Sequence, residues 1–322
     1  MRKDDADGKP ELIAIAGQFV EFDEFTEVTA GWDIDLRQLC RGNLNASMAQ
    51  LVGESWSLGK ARFDQPAYQQ GVAMPGMRTF AILDPDAPDT DWCGRSFTSG
   101  TLAMFAKDTE FRSVSPPGFD VYTLSFTEEQ LAAASERLGI PDATSKIERA
   151  DATMQLHRGL AAVLRHLVSV SLKIACFHAA RGSTWLTSEP MRDEIAEHLV
   201  LQLAAGSPLL QTPSQVVRSR AVYRALEIIE ADLEGGVSIR DVAKRSGMGR
   251  RTLEYAFRDR FGVSPKSFIN TQRMIQTRRE LRNRTDDILI ADIANHWGFW
   301  HMGQFARDYA RQFGELPSQT RR

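Results

Sequence analysis

Six histidines, three cysteines and one run of arginines decide what chemistry this chain can do. The histidines stand at 157, 166, 178, 198, 296 and 301, so none lies in the first 156 residues. His157 and His166 are nine apart and His296 and His301 five apart, and neither spacing sets two metal ligands on one helix face. Cys40, Cys93 and Cys176 are odd in number and far apart. That fits neither a zinc cluster nor a disulfide scaffold and points to a reducing compartment. No nucleophile elbow, phosphate loop or paired carboxylates stand in a catalytic context, so no enzyme activity, no metal and no cofactor are expected. A different chemistry is written in Arg250, Arg251, Glu254, Tyr255 and Arg258, which share one face of a short segment. An arginine there can bond both acceptors of a guanine edge, a glutamate can accept from cytosine, and a flanking arginine can hold a phosphate.

Such a face needs a helix held at a fixed angle. Ile239, Val242 and Ala243 recur at helical spacing after Ser238, an expected N-cap, with Asp241 three residues on. Gly247-Met248-Gly249 should end that helix, because glycine tolerates the left-handed backbone of a tight turn. A second helix from Arg250 buries Leu253, Ala256 and Phe257. Helix, glycine turn and basic second helix make a helix-turn-helix. The unit repeats at Ile290–Gly314: Ile293 and Ala294 match Val242 and Ala243, Gly298 matches Gly247, Phe305 matches Leu253, and Tyr309 matches Phe257. The matching polar face then holds His301, Met302, Gln304 and Arg307, where Gln304 would read adenine and Met302 a thymine methyl. Pro265–Arg282 is the expected connecting helix, carrying Arg273, Arg278, Arg279 and Arg282 toward the DNA backbone.

These residues resemble the DNA-binding part of the AraC/XylS family of transcription regulators. The likeness is carried by A-K-R-S-G-M-G-R-R-T-L at 243–253, F-G-V-S-P at 261–265, R-R-E-L at 278–281 and G-F-x-x-x-G-Q-F at 298–305. Within that family, Trp297–Pro317 and RRTLEYAF at 250–257 are similar to the regulators of ethanolamine utilisation. The segment from Trp32 to Pro85 shares that similarity more weakly. Gly303 and Gln304 depart from the serine and aromatic of the common family form. The resemblance implies that Arg251, Glu254 and Tyr255 face bases. It also implies a β-barrel sensor, a homodimer contacting RNA polymerase, activation as the sign of control, and an amine or cobalamin signal.

The charge distribution agrees. Residues 237–322 hold 17 Lys and Arg against 9 Asp and Glu, a net of +8, while the whole chain is −3. A basic tail on an acidic body fits nucleic-acid binding by one part only. Short apolar runs at Ala46–Ser57, Gln70–Asp84, Gly100–Lys107 and Phe119–Phe126, punctuated by turns such as Pro116-Pro117-Gly118, predict a sheet sandwich or barrel, with a cupin-like jelly-roll barrel as the natural choice. Helices are expected at Thr127–Leu138, Asp151–Ala180 and Pro190–Ala205, the second of them part of a dimer surface, and Gly206–Ser214 as a linker. The expectation is an α+β chain: a cupin-like sensor and dimerisation domain at 11–205, a linker at 206–215, and an all-α double helix-turn-helix at 216–322. Apolar stretches broken by Arg, Lys or His predict no membrane span, and a charged N-terminus no signal peptide, hence a cytoplasmic protein. Candidate effector contacts are Trp56, Arg78, Phe80 and Tyr122, drawn from a wider set with Arg62, Trp92 and Arg112; Arg78 would meet an anion. Two alternatives stand beside a ligand-responsive regulator that binds double-stranded DNA. One is a cupin-type enzyme fused to a DNA-binding tail. The other is a regulator whose barrel only dimerises or binds a protein.

Overall fold

The computed structural model describes residues 12–321 apart from 41, 141–151, 182–188, 210–212, 235 and 284–287. Residues 210–212 of the expected linker lie outside the described residues. The N-terminal half runs β1 (Ile13–Phe19), α1 (Phe22–Val28), β2 (Asp33–Gln38), β3 (Ala46–Val52), β4 (Trp56–Phe63), β5 (Ala67–Val72) and β6 (Arg78–Leu83). It continues through β7 (Thr90–Trp92), β8 (Arg95–Phe97), β9 (Thr101–Met104), β10 (Glu110–Ser115) and β11 (Phe119–Phe126). Then follow α2 (Glu128–Leu138), β12 (Ala152–Gln155), α3 (Arg158–Ala179), α4 (Glu189–Ala205) and β13 (Ser207–Leu209). The rest is helical: α5 (Pro213–Ala231), α6 (Ile239–Ser246), α7 (Arg250–Phe261), α8 (Pro265–Asn283), α9 (Ile290–His296), α10 (Met302–Phe313) and α11 (Pro317–Thr320).

The strands form two antiparallel sheets, ordered β1-β3-β4-β11-β6-β9-β12-β13 and β2-β5-β10-β7-β8. Among the described residues no strand pairing joins them, so the expected closed barrel is replaced by a two-sheet sandwich. Strand alternation then dictates the layers, because successive side chains leave opposite faces. On β11, Phe119 and Val121 point between the sheets, while Tyr122, Leu124 and Phe126 point away and are covered by α2, α3 and α4. On β6, Ala81 and Leu83 point in, and Phe80 and Ile82 out. The five-stranded sheet behaves likewise: Leu36, Trp92 and Phe111 face the other sheet, whereas Tyr68 and Val114 join the core of the C-terminal helices. The chain is thus layered as helices, large sheet, inner core, small sheet, C-terminal helices.

Thr127 caps α2 as its spacing predicts, accepting from Gln130 N at 3.3 Å. The expected helix at Asp151–Ala180 is corrected at its start: β12 comes first, pairing Thr153 with Ala103 of β9 and with Leu209 of β13. β13 and the first residues of α5 likewise fall in the stretch expected to be a linker. Helix α3, 22 residues long, is apolar and long enough to cross a membrane by length and composition alone. One side of it, Ala161, Leu164, Val168, Leu172 and Ala175, is buried against the large sheet and α4. Val163 and Phe177 remain exposed.

Candidate nucleic-acid interface

Each helix-turn-helix is built from the same backbone device. In the first, Ser238 caps α6 by accepting from Asp241 N at 3.1 Å. The helix ends on Gly247 at φ 76°, with Gly247 N bonding Lys244 O and Met248 N bonding Ala243 O. In the second, Gly298 has φ 82°, with Gly298 N bonding Asn295 O and Phe299 N bonding Ala294 O. These paired bonds close the last turn of a helix over a left-handed residue. A side chain at φ near 80° would be strained, which is why both turns carry glycine. The repeat seen as a string of letters is therefore a repeat of hydrogen bonds. Ser238→Ala is expected to lower the stability of this unit by about 1 kcal/mol, read as a shifted midpoint in urea unfolding; an unchanged midpoint would show the cap to be idle.

The second helix of each unit presents its polar face. Leu253, Ala256 and Phe257 of α7 and Phe305 and Tyr309 of α10 are buried in one core with α5, α6, α8 and α9. Opposite them, Arg250, Arg251, Tyr255 and Arg258 are exposed and Glu254 half-buried, with Glu254 paired to Arg258 at 3.2 Å. On α10, His301, Gln304 and Arg307 share the exposed face, whereas Met302, expected there, is half-buried against the core that holds Phe305 and Tyr309; Gln304 donates to Asp308 at 2.8 Å and accepts from Arg307 at 3.0 Å. Exposed side chains paired only along their own helix can exchange those bonds for a base or phosphate at small cost. Two aromatic rings stand out of this surface: Tyr255 at 69 % exposure and Trp300 at 72 %. Trp300 was not among the sequence candidates. It precedes His301, the N-cap of α10, where an aromatic with no role in the helix stripe was the available sign.

The connecting helix is the correction. Arg278 and Arg279 were expected to reach DNA phosphates. Instead Arg279 grips Asp23 at 2.7 Å and Asp35 at 2.8 Å, and Arg278 bonds Glu21 and Glu315. Arg282 pairs with Glu21 as well. Burial works against the Asp35 carboxylate, but Arg37 and Arg279 outweigh it and hold its pKa below the ordinary value. Arg37 in turn bonds Glu230 and Gln272, and Arg260 bonds Asp91 and Tyr223. The small sheet thus closes on α5, α7 and α8 through ion pairs around the apolar contacts of Tyr68 with Phe261 and Phe268, ring centroids 6.3 and 6.1 Å away.

The four candidate effector contacts are not brought together in a cavity. Trp56, Phe80 and Tyr122 lie in the core under α2–α4, and Arg78 pairs with Glu128 at 3.0 Å. They sit on the outer face of the large sheet by strand parity. The cavity lies on the other face, between the sheets, and Trp92 of the wider set lines it. Among the described residues no three His, Cys, Asp or Glu side chains are placed to hold a metal.

Comparison with known proteins bears on this surface. Residues 242–322 match the helix-turn-helix domain family. The chain is similar to the XylDLEGF operon transcriptional activator 2 of Pseudomonas putida, 31% identical over 134 residues, which are 39% of this chain and 84% of that protein. It is also similar to the XylDLEGF operon transcriptional activator of the same organism, 34% identical over 100 residues, and there the chain spans only 31% of the relative's length and 31% of its own. Among solved structures, a probable AraC family transcriptional regulator from Rhodopseudomonas palustris is 32% identical over 31% of this chain and 94% of that one, at a TM-score of 0.30. A pair of hydrogen-bond-matched helix-turn-helix units on a basic tail, with the likeness to the Pseudomonas putida activator of which this chain covers 84%, places the chain in the AraC/XylS family of DNA-binding transcription regulators.

Proposed function

We propose that the chain is a ligand-responsive transcription activator: residues 11–205 sense a small molecule and dimerise, 206–215 connect, and 216–322 bind double-stranded DNA. The observation that carries the reading is the pair of exposed second helices, each backed by the same turn. With α8 between them, α7 and α10 would enter successive major grooves about one turn (~34 Å) apart, so each subunit would read an asymmetric half-site. Arg251, Glu254, Tyr255 and Gln304 would read bases, with Arg250, Arg258 and Arg307 on phosphates. Arg278 and Arg279 belong in this reading to the contact with the sensor, not to the operator. The two-sheet unit is taken as cupin-like in role, with α3 and its exposed Val163 and Phe177 as the dimer surface. A cytoplasmic homodimer that recruits RNA polymerase and carries out no catalysis completes the proposal. The likeness to ethanolamine-utilisation regulators sits mostly in α10 and its flanks, so it speaks for operator sequence more than for the effector.

The test is a gel-shift titration of the full chain on its own upstream region against scrambled duplex at two salt concentrations. Arg251→Ala is expected to weaken the specific site by ~1–3 kcal/mol, about fivefold to 150-fold, and to relax preference at one base pair. Arg258→Ala should weaken both duplexes alike and flatten the salt dependence. Equal loss on both duplexes for Arg251→Ala would remove its base-reading role.

A further inference from the structure

The cavity between the sheets is about 80 Å³ and is walled by aromatic rings, among them Phe25, Trp32, Phe63, Trp92, Phe105 and Phe111. Among the described residues Lys60 is the one charged residue in its wall, and its ammonium is turned to the other face of the large sheet, where it bonds Tyr122 Oη at 2.8 Å and Asp84 at 3.3 Å. An anion inside would meet no countercharge, and a cation no carboxylate. The polar wall groups are mostly spent on the protein itself. Gln50 bonds both N and O of Ala30, Gln69 donates to Ser115, and Ser113 donates to Asp91 O. Trp92 differs: it is buried, and its indole N–H has no acceptor among the described residues. A buried donor left unmatched is rare in proteins and marks a place where an acceptor belongs.

We propose that this cavity binds an uncharged, single-ring-sized apolar molecule whose one acceptor oxygen takes the Trp92 N–H, and that its entry loosens the contact between sandwich and DNA-binding helices. The inference rests on reading the two-sheet unit as the sensor and adds the class of its ligand. The size argument supplies the coupling. A dry apolar cavity of about 150 Å³ holds benzene, so a ring entering a smaller one must displace a wall. The wall includes Phe25 of the seven-residue α1, Trp32, and Ile34 and Leu36 of β2, which is an edge strand of its sheet. The same elements carry Asp23 and Asp35 on their opposite face, in the grip of Arg279.

The experiment is isothermal titration of the full-length chain with acetophenone, with ethylbenzene, which lacks the acceptor, and with benzoate, which is charged. Acetophenone is expected to bind saturably, ethylbenzene about tenfold more weakly for want of one hydrogen bond, and benzoate not at all. Trp92→Phe should reduce acetophenone to the ethylbenzene level, and Ala81→Leu, which fills the cavity, should abolish both. Benzoate binding as tightly as acetophenone, no saturable binding of either neutral ring, or a preference unchanged in Trp92→Phe would each overturn the assignment. If the neutral compounds bind at full strength in Ala81→Leu, the guest sits elsewhere and the cavity is excluded. The gel shift separates the two readings. Selective DNA binding without ring binding ends the ligand class and leaves the regulator. Ring binding that leaves the gel shift on operator DNA unchanged ends the coupling.

Discussion

Phe257→Ala is expected to destabilise the C-terminal unit by about 3–5 kcal/mol and to abolish binding to any DNA sequence. Phe257 is fully buried on α7, its ring 4.8 Å from that of Phe261 and 5.5 Å from that of Phe268. These three rings hold α7 on α8, so removing one leaves a cavity at the point that sets the recognition helix against the connecting helix. Phe261 and Phe268 also touch Tyr68 of the small sheet, so the loss reaches the sandwich. Circular dichroism melts read the stability and gel shifts on operator and scrambled duplex read the binding. Tyr255→Ala, two residues away on the exposed face, is the control and should leave the melt unchanged. A wild-type melt for Phe257→Ala would mean that the core does not rest on this cluster.

Asp91→Ala should cost about 3 kcal/mol, through the charge it leaves behind. Arg260 has only 8 % of its side chain exposed; it bonds Asp91 and Tyr223 Oη and lies 4.4 Å from the Tyr223 ring centroid. Burial disfavours its charge, but Asp91 and Tyr223 together overcome this and keep the guanidinium ionised. Without Asp91 that cation stays buried between the small sheet and α5 with only the tyrosine to answer it. The double variant Asp91→Ala with Arg260→Met is expected to regain much of the loss, because an apolar side chain of similar length can lie there uncharged. Urea unfolding of the wild type, the two single variants and the double variant measures this cycle. A double variant less stable than Asp91→Ala alone would show that the pair is not a coupled unit.

The C-terminal half was legible because its information is local. Ser238, Gly247, Leu253 and Phe257 lie within twenty residues, and the i, i+3, i+4 spacing names the buried side without reference to anything distant. The sandwich is organised otherwise. A strand's two faces look equally apolar when one covers a helix layer and the other an inner core, as on β11; sequence alone sets Tyr122 ahead of Trp92 as a candidate, and only the layers show that Trp92 lines the inner cavity. β2 and β10 escaped notice because Asp35, Arg37 and Arg112 break the apolar pattern, and their partners lie far along the chain in Arg279, Glu230 and Glu227. A charge facing another domain reads in sequence like a charge facing water. The same blindness sent Arg278 and Arg279 toward DNA. β12 was lost in the expected helix because four residues set directly before a long apolar helix carry too short a pattern to register.

The small sheet is one strand thick between the inner core and the DNA-binding helices. On β2, Ile34 and Leu36 belong to the one and Asp35 and Arg37 to the other. Neighbouring codons therefore answer to different selective demands. Substitutions at 34 and 36 can reshape the inner core while the grip on Glu230 and Arg279 persists, and substitutions at 35 and 37 can do the reverse. The packing of the inner core and the domain contact can drift apart through point mutation. An inserted or deleted residue within β2 is another matter, since it exchanges the two sets at a stroke. Along this strand evolution is free in spelling and bound in length.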